Sequence, residues 1–224
     1  MGRVRIVWGS GTGPTVLASY DAALAAANVQ DYNLVCVSSV LPVDTTVSFA
    51  GTAPDLGPVG EKLTVVEARE TASKSGFANA NGPLARSDEG MTDRRSVQAG
   101  LGWARAANGR GIVYEATGTD SGSVRKGIDA GLRAGSALRE LTATYTDRVV
   151  LSTDGDSERI ETGSEGDPPS SDGPRHASIE ADRSAPPTPR SEGDVSRGTD
   201  TDRPEKEYLT AVVLAVYGES DPIF

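Results

Sequence analysis

The feature that most constrains the fold is an apolar decapeptide near the end of the sequence, YLTAVVLAVY at residues 208–217. A valine-rich run of this length with aromatic residues at both ends is typical of a buried strand. A buried strand needs a sheet around it. We therefore expect residues 208–217 to complete the sheet of the globular region that begins the chain.

The segment between these two parts, residues 152–203, has a different composition. It is rich in Ser, Asp, Gly and Pro, and it contains no aromatic residue. Such a segment buries too little apolar surface to offset its ordering entropy, which predicts disorder. Long insertions add little closure entropy. The predicted organisation is one domain, residues 1–151 plus 204–224, interrupted by an acidic disordered insertion at 152–203. The lone histidine, His176, lies in this insertion and is not expected to be catalytic.

The globular region contains several recognisable secondary-structure patterns. The predicted elements are a strand at Val4–Trp8, a glycine-rich turn at Gly9–Gly13, a helix at Thr15–Asn28 preceded by Pro14 at a first helical position, strands at Asn33–Ser39 and Ile112–Glu115, and an amphipathic helix at Val124–Leu141. Strands and helices are interspersed, which predicts a layered α/β or α+β sandwich. Our preferred fold class is α+β, with helices covering two packed sheets in an αββα sandwich.

Charge and cysteine content exclude several functions. The chain has 32 acidic and 22 basic residues, a net charge of -10, and only four lysines. Such a surface disfavours nucleic-acid binding and resembles proteins of salt-rich cytoplasm. The single cysteine, Cys36, lies in an apolar run, so we expect a buried structural thiol and predict no metal site. No segment suits a signal peptide or a bilayer span, so a cytoplasmic protein without membrane contact is expected.

The glycine-rich segment Gly9–Gly13 lies where a dinucleotide-binding loop would lie, after a strand and before a helix. Its details do not fit, because no Gly-Lys-Ser/Thr follows and the third glycine of the dinucleotide pattern is replaced by Pro14 or Val16, depending on the register. We favour a structural turn. A nucleotide-binding module that uses this segment remains the alternative from another functional class.

A pair of hydroxyl side chains ends the predicted strand in NLVCVSSVLP, residues 33–42. Taken alone, Ser38 and Ser39 are explained as a polar strand end that hydrogen-bonds to the backbone. The pattern Asn-Leu-x-x-x-Ser-Ser-x-x-Pro, however, resembles the self-cleavage region of the pyruvoyl-dependent arginine decarboxylases. The chain also has, in the family's order, YDAAL at 20–24, GIVYE at 111–115 and a terminal strand of small residues. The resemblance covers nearly the whole chain except residues 152–203.

The resemblance implies a self-made cofactor. The Ser39 hydroxyl would attack the Ser38 carbonyl, and elimination and hydrolysis would leave fragments 1–38 and 39–224, the second beginning with a pyruvoyl group. That ketone would form a Schiff base with L-arginine and accept electrons as carbon dioxide leaves, giving agmatine. By the same resemblance Glu115, expected to be partly buried, protonates the substrate carbon.

The remaining expectations concern substrate binding, the cleavage machinery and the assembly of subunits. Asp21 shares a helix face with Leu17 and Leu24, and a carboxylate between two leucines suits the guanidinium and methylene groups of arginine. The resemblance places Asn33 in the cleavage machinery, although about 20 Å of straight strand separates it from the serines. Either the chain bends or Asn33 serves a neighbouring subunit, which agrees with the homotrimer or dimer of trimers that the family implies. A pyruvoyl decarboxylase for another amino acid remains an alternative.

Overall fold

The structure, a computed structural model, describes residues 2–73, 96–155, 157–166 and 207–223. The described elements belong to one compact unit. The helices are α1 (Val16–Ala26) and α2 (Ser121–Leu138). The strands are β1 (Gly2–Gly13), β2 (Asn33–Cys36), β3 (Val40–Leu41), β4 (Thr45–Gly51), β5 (Lys62–Ser73), β6 (Val97–Ala106), β7 (Gly111–Gly118), β8 (Ala143–Thr153), β9 (Glu158–Gly166) and β10 (Tyr208–Tyr217). Neither helix is long and apolar enough to cross a membrane, within the described ranges.

The strands form two five-stranded sheets. The first has the order β2-β5-β10-β1-β4 and the second the order β3-β7-β6-β8-β9. Strand β10 lies in the middle of the first sheet, antiparallel to both β1 and β5, and is buried from Leu209 to Val216. The prediction that residues 208–217 complete the sheet of the preceding region is therefore confirmed. The second sheet is antiparallel throughout.

The two sheets pack against each other and each carries one helix. A core cluster with side chains from both sheets, including Ile6, Leu101 and Val213, lies between them. Helix α1 packs on β1 and β10, where Leu24 joins a second cluster. Helix α2 packs on β6, β7 and β8, where Ile128 joins a third. The fold is α+β, and mostly strand.

The predicted turn at Gly9–Gly13 is wrong, because β1 continues to Gly13 and the helix begins at Val16 with Thr15 as its N-cap. A Cβ atom on Gly11 would lie 2.5 Å from the Cβ of Ala22, and one on Gly13 would lie 2.7 Å from the nitrogen of Ser19. The glycines are therefore needed for close approach of α1 to the strand. The sequence pattern indicated a structural role for these glycines, but it assigned that role to a turn rather than to helix packing.

The predicted strand at Asn33–Ser39 is also wrong in part. Strand β2 ends at Cys36, and it is an exposed edge strand of the first sheet. Cys36 is exposed rather than buried. Periodicity could not distinguish a buried strand from an edge strand with one apolar face open, because both contain the same run of valines.

The predicted disordered insertion begins too early. Residues 152 and 153 end β8, and Glu158–Gly166 form β9, the edge strand of the second sheet. Most of β9 is exposed, but its backbone pairs with β8 along nine residues and Ile160 packs against the central core. Composition cannot detect a strand stabilised mainly by its backbone ladder. Residues 167–203 of the predicted insertion, with His176, lie outside the described residues.

Candidate active site

The Ser38–Ser39 peptide lies where the chain crosses from one sheet to the other. The amide of Val37 donates to the carbonyl of Val65 at 3.0 Å, which holds the incoming chain on β5 of the first sheet. The carbonyl of Ser39 accepts from the amide of Val113 at 3.1 Å, which holds the outgoing chain on β7 of the second sheet. The single peptide between the two serines is thus fixed on both sides.

The carbonyl oxygen of Ser38 accepts a hydrogen bond from the amide of Val40 at 2.8 Å. This bond closes a three-residue turn centred on Ser39. A donor aimed at a carbonyl oxygen polarises the bond and stabilises negative charge that develops there. Ser38 is exposed and Ser39 is half-buried, so the turn is accessible from one side. The carbonyl is therefore prepared for attack by a neighbouring nucleophile.

Glu115 lies on the strand that receives Ser39. Because Val40 pairs with Ile112 and Leu41 with Gly111, the same register puts Ser39 opposite Val113. Glu115 is then the diagonal neighbour of Ser39 on the same face of the sheet, a relation that long side chains can bridge. Glu115 is exposed in the single chain, so the expectation of partial burial is wrong. Strand β3 is only two residues long and leaves this part of β7 uncovered.

A polar cluster that the sequence analysis missed lies beside β2. The Sγ of Cys36 is 4.0 Å from Oε2 of Glu67, whose other oxygen is buried and has no hydrogen-bond partner among the described residues. Partial desolvation raises the pKa of the Cys36 thiol, and the charges of Glu67 and Glu115 add to the rise, whereas Arg69 opposes it. Glu115 is therefore within electrostatic reach of Cys36.

The same cluster anchors helix α1. The guanidinium carbon of Arg69 lies 4.3 Å from the ring centroid of Tyr20, a cation–π contact. Burial and the nearby Glu67 charge raise the pKa of the Tyr20 hydroxyl. Tyr20 directly precedes Asp21, so these contacts fix the turn of α1 that carries Asp21. Charged residues at alternating positions of an otherwise apolar strand, as in VVEAR, were the available signal.

The three predicted substrate-binding residues separate in the structure. Asp21 is exposed and Leu17 is 66% exposed, whereas Leu24 is 6% exposed and packs in the core beneath α1. The face shared by all three is therefore not available as one surface in a single chain. Leu17 and Asp21, one helical turn apart, are the pair that a ligand can reach.

Asn33 is not brought to the serines. It begins β2, and its Nδ2 donates to the carbonyl of Gly60 at 2.6 Å. The serines follow the other end of that strand. Within one chain, Asn33 and the Ser38–Ser39 peptide therefore do not form a common site.

A serine–serine peptide that is fixed on both sides, with a polarised carbonyl and a carboxylate on the neighbouring strand, forms a site at which a chain can cleave its own backbone. Comparison with known proteins identifies the family of self-cleaving proteins. The family model described as pyruvoyl-dependent arginine decarboxylase matches residues 3–164. Two proteins named pyruvoyl-dependent arginine decarboxylase, from Halobacterium salinarum strains R1 and NRC-1, are each 36% identical over 225 residues, covering 100% of this chain and 99% of theirs. The chain belongs to the pyruvoyl-dependent arginine decarboxylase family.

Proposed function

We propose that this chain is a self-processing decarboxylase that converts L-arginine to agmatine and carbon dioxide with a pyruvoyl group made from Ser39. The observation that carries the proposal is the Ser38–Ser39 peptide, which is fixed between two sheets and hydrogen-bonded at the carbonyl to be attacked. The match of the family model to residues 3–164 and the full-length similarity to relatives named for this activity support the same activity.

The cleavage uses groups of the chain itself. The Ser39 hydroxyl oxygen attacks the Ser38 carbonyl carbon, and the amide of Val40 stabilises the oxyanion. Collapse breaks the C–N bond and leaves an ester between the two residues. Loss of the Ser39 Cα proton then breaks the Cβ–O bond, which releases the Ser38 carboxylate and leaves dehydroalanine. One water molecule hydrolyses this residue, releasing ammonia and leaving a pyruvoyl group at position 39.

The fit of residue 39 to this cofactor rests on its surroundings. Ser39 is half-buried at the open edge of β7, with one side accessible to a substrate amine. The pyruvoyl carbonyl supplies an electrophile for that amine and an acceptor for the electrons of the departing carboxyl group. Glu115, diagonal to position 39, is our candidate for returning a proton to the substrate carbon. Asp21, with Leu17, is our candidate for the guanidinium.

We infer that the complete site needs a second copy of the chain. Asn33 is held away from the serines of its own chain, and exposed apolar side chains surround the cleavage segment. These are Val35, Val37, Val40 and Val43, each 40–52% exposed. A second copy packed on this edge would cover them and could supply Asn33, which supports the expected trimer. We also propose an αββα layer order and a cytoplasmic location.

The deciding experiment is an intact mass under denaturing conditions, combined with an agmatine assay. Wild-type protein should give fragments 1–38 and 39–224, the second blocked at its N-terminus. Ser39→Ala should stay one chain, because it lacks the attacking oxygen. Ser38→Ala is the matched control, because its backbone carbonyl is unchanged, and it should still cleave. Full-length wild-type protein that nevertheless releases agmatine would refute the mechanism.

A further inference from the structure

Arg105, near the end of β6, is a buried cation only 5% exposed. Its guanidinium donates to the carbonyl of Gly109 at 2.8 Å and to Oγ1 of Thr45 at 2.6 Å. Longer bonds of 3.4 Å reach the carbonyls of Pro42 and Val43. None of these acceptors carries a charge, although buried cations are ordinarily paired with carboxylates. Burial accordingly lowers the pKa of Arg105.

Three of these four acceptors follow the cleavage site in the chain: the carbonyls of Pro42 and Val43 lie in the loop between β3 and β4, and Thr45 is the first residue of β4. Oγ1 of Thr45 donates in turn to the carbonyl of Pro42 at 2.7 Å. Upstream of this loop, the carbonyl of Ser39 accepts from the amide of Val113 at 3.1 Å, the two residues of β3 pair with β7, and the hydroxyl of Tyr217 donates to the carbonyl of Val40 at 3.3 Å. Arg105 adds the side-chain hydrogen bonds that tie residues 42–45 to the second sheet.

In the intact chain the segment 39–45 is also held from the other side, because Ser38 connects it covalently to β2 on the first sheet. Cleavage between Ser38 and Ser39 removes that connection and turns residue 39 into a chain end. Short terminal segments fray unless something holds them. Since the reactive ketone would be on residue 39, fraying would move it away from the substrate.

We propose that Arg105 is a positioning residue that holds the new N-terminal segment 39–45, and with it the cofactor, in place after cleavage. The inference rests on the proposed self-cleavage and adds a residue that acts on the product of that reaction. Arg105 makes no bond to the Ser38–Ser39 peptide itself, so its effect should be selective for the cleaved state.

The test compares hydrogen exchange of segment 40–45 in cleaved and uncleaved protein. In the uncleaved Ser39→Ala background, Arg105→Gln should change exchange there only slightly. In fully cleaved protein, the same substitution should accelerate exchange by about tenfold or more, because local opening is no longer restrained by the upstream chain. Arginine turnover per pyruvoyl group should fall through kcat, by up to about 100-fold, since a shift of about 1 Å at a reacting group can cost that much.

Matched variants keep the result interpretable. Arg110→Gln removes the same charge from the same hairpin, but the Arg110 side chain is exposed and donates instead to the carbonyl of Arg139, so it should leave segment 40–45 protected. Thr45→Val removes one acceptor without removing the cation and should accelerate exchange in the cleaved protein more weakly. It serves as the test if Arg105→Gln does not fold. Arg105→Lys should restore part of the protection.

The outcomes separate the two claims. Wild-type protein that never cleaves would overturn the proposed function and this inference with it. Cleaved variants of Arg105 and Thr45 whose segment 40–45 exchanges as slowly as wild type would overturn the inference alone. Equal acceleration in cleaved and uncleaved protein would also overturn it, because Arg105 would then be an ordinary structural residue.

Discussion

At the scale of single residues, the site is defined by one carbonyl and the groups around it. The carbonyl oxygen of Ser38 accepts a hydrogen bond from the amide of Val40. By the register of β3 and β7, Glu115 lies diagonally across from Ser39 on the same face of the second sheet. Self-cleavage needs the hydroxyl and the polarised carbonyl. Decarboxylation additionally needs a proton donor, and these two requirements can be separated by substitution.

Glu115→Gln keeps the shape of the side chain and removes its exchangeable acid proton. We expect the variant to fold and to cleave. Arginine turnover should fall by roughly 10²–10⁴, the usual loss for a missing general acid. The measurement is agmatine formed per pyruvoyl group counted by mass spectrometry, so that incomplete processing is not mistaken for poor catalysis. A fully processed variant with wild-type turnover would assign the proton donor elsewhere.

Tyr217, whose hydroxyl donates to the carbonyl of Val40, gives a pH-dependent test of stability next to the cleavage segment. Burial raises its pKa from 10.0 to about 12, more than the nearby Arg105 charge lowers it. The folded state therefore keeps a proton that the unfolded chain releases, and this contribution to stability is present below pH 10 and lost as the pH rises from 10 to about 12. In the Ser39→Ala background, Tyr217→Phe should make the decline in unfolding free energy over that interval shallower. Tyr20 and Tyr145, whose pKa values are also raised, contribute equally to both proteins. Identical slopes would contradict the assignment.

At the scale of elements, the glycines of β1 determine how closely α1 can pack. Gly11→Ala would place a methyl group 2.5 Å from the Cβ of Ala22, so the helix must move outward. Overpacking of this kind costs about 1–3 kcal/mol. Gly118→Ala on β7 is the control, since its Cβ would meet only Val124, at an ordinary 3.5 Å. Urea denaturation of both variants in the Ser39→Ala background should separate them. Equal midpoints would contradict the packing account.

Strand β9 limits how much of the predicted insertion can be deleted without loss of stability. Besides pairing with β8, it carries Glu161, which forms an ion pair with Arg125 of α2, and Glu158, which accepts from Ser10 of β1. The edge strand is therefore attached to both sheets and to a helix. Surface ion pairs add little individually, but the loss of a whole strand exposes the edge of β8.

At the scale of the whole molecule, two deletions test this organisation. Removal of residues 170–200 leaves β9 intact, and residues 167–169 with 201–206 can still span up to about 30 Å. This variant should cleave and turn over arginine like wild type in high salt. Removal of residues 155–200 also deletes β9 and should lower the denaturation midpoint. Loss of cleavage in a folded 170–200 deletion would show that the segment has a structural role. Equal stability of the two deletions would show that β9 is dispensable.

The sequence alone determined the features that depend on local pattern. The decapeptide at 208–217 is buried because water is unfavourable for a continuous apolar run, and its β-branched valines and terminal tyrosines favour a strand. Helix α2 forms where charged and apolar residues alternate at helical spacing. The serine pair was recognisable because its flanking residues match a family pattern. These features are fixed by neighbours in the chain.

The tertiary structure decided everything that depends on partners distant in sequence. Only the β1–α1 contact explains Gly11, and only pairing with β8 turns the acidic residues 158–166 into a strand. The crossing of the Ser38–Ser39 peptide between the sheets depends on β5 and β7, and the Arg105 hydrogen bonds to residues 42–45 depend on β6. All three strands follow the serines by more than twenty residues. Such features are invisible in a sequence because burial, register and hydrogen-bond partners are set by packing rather than by local composition.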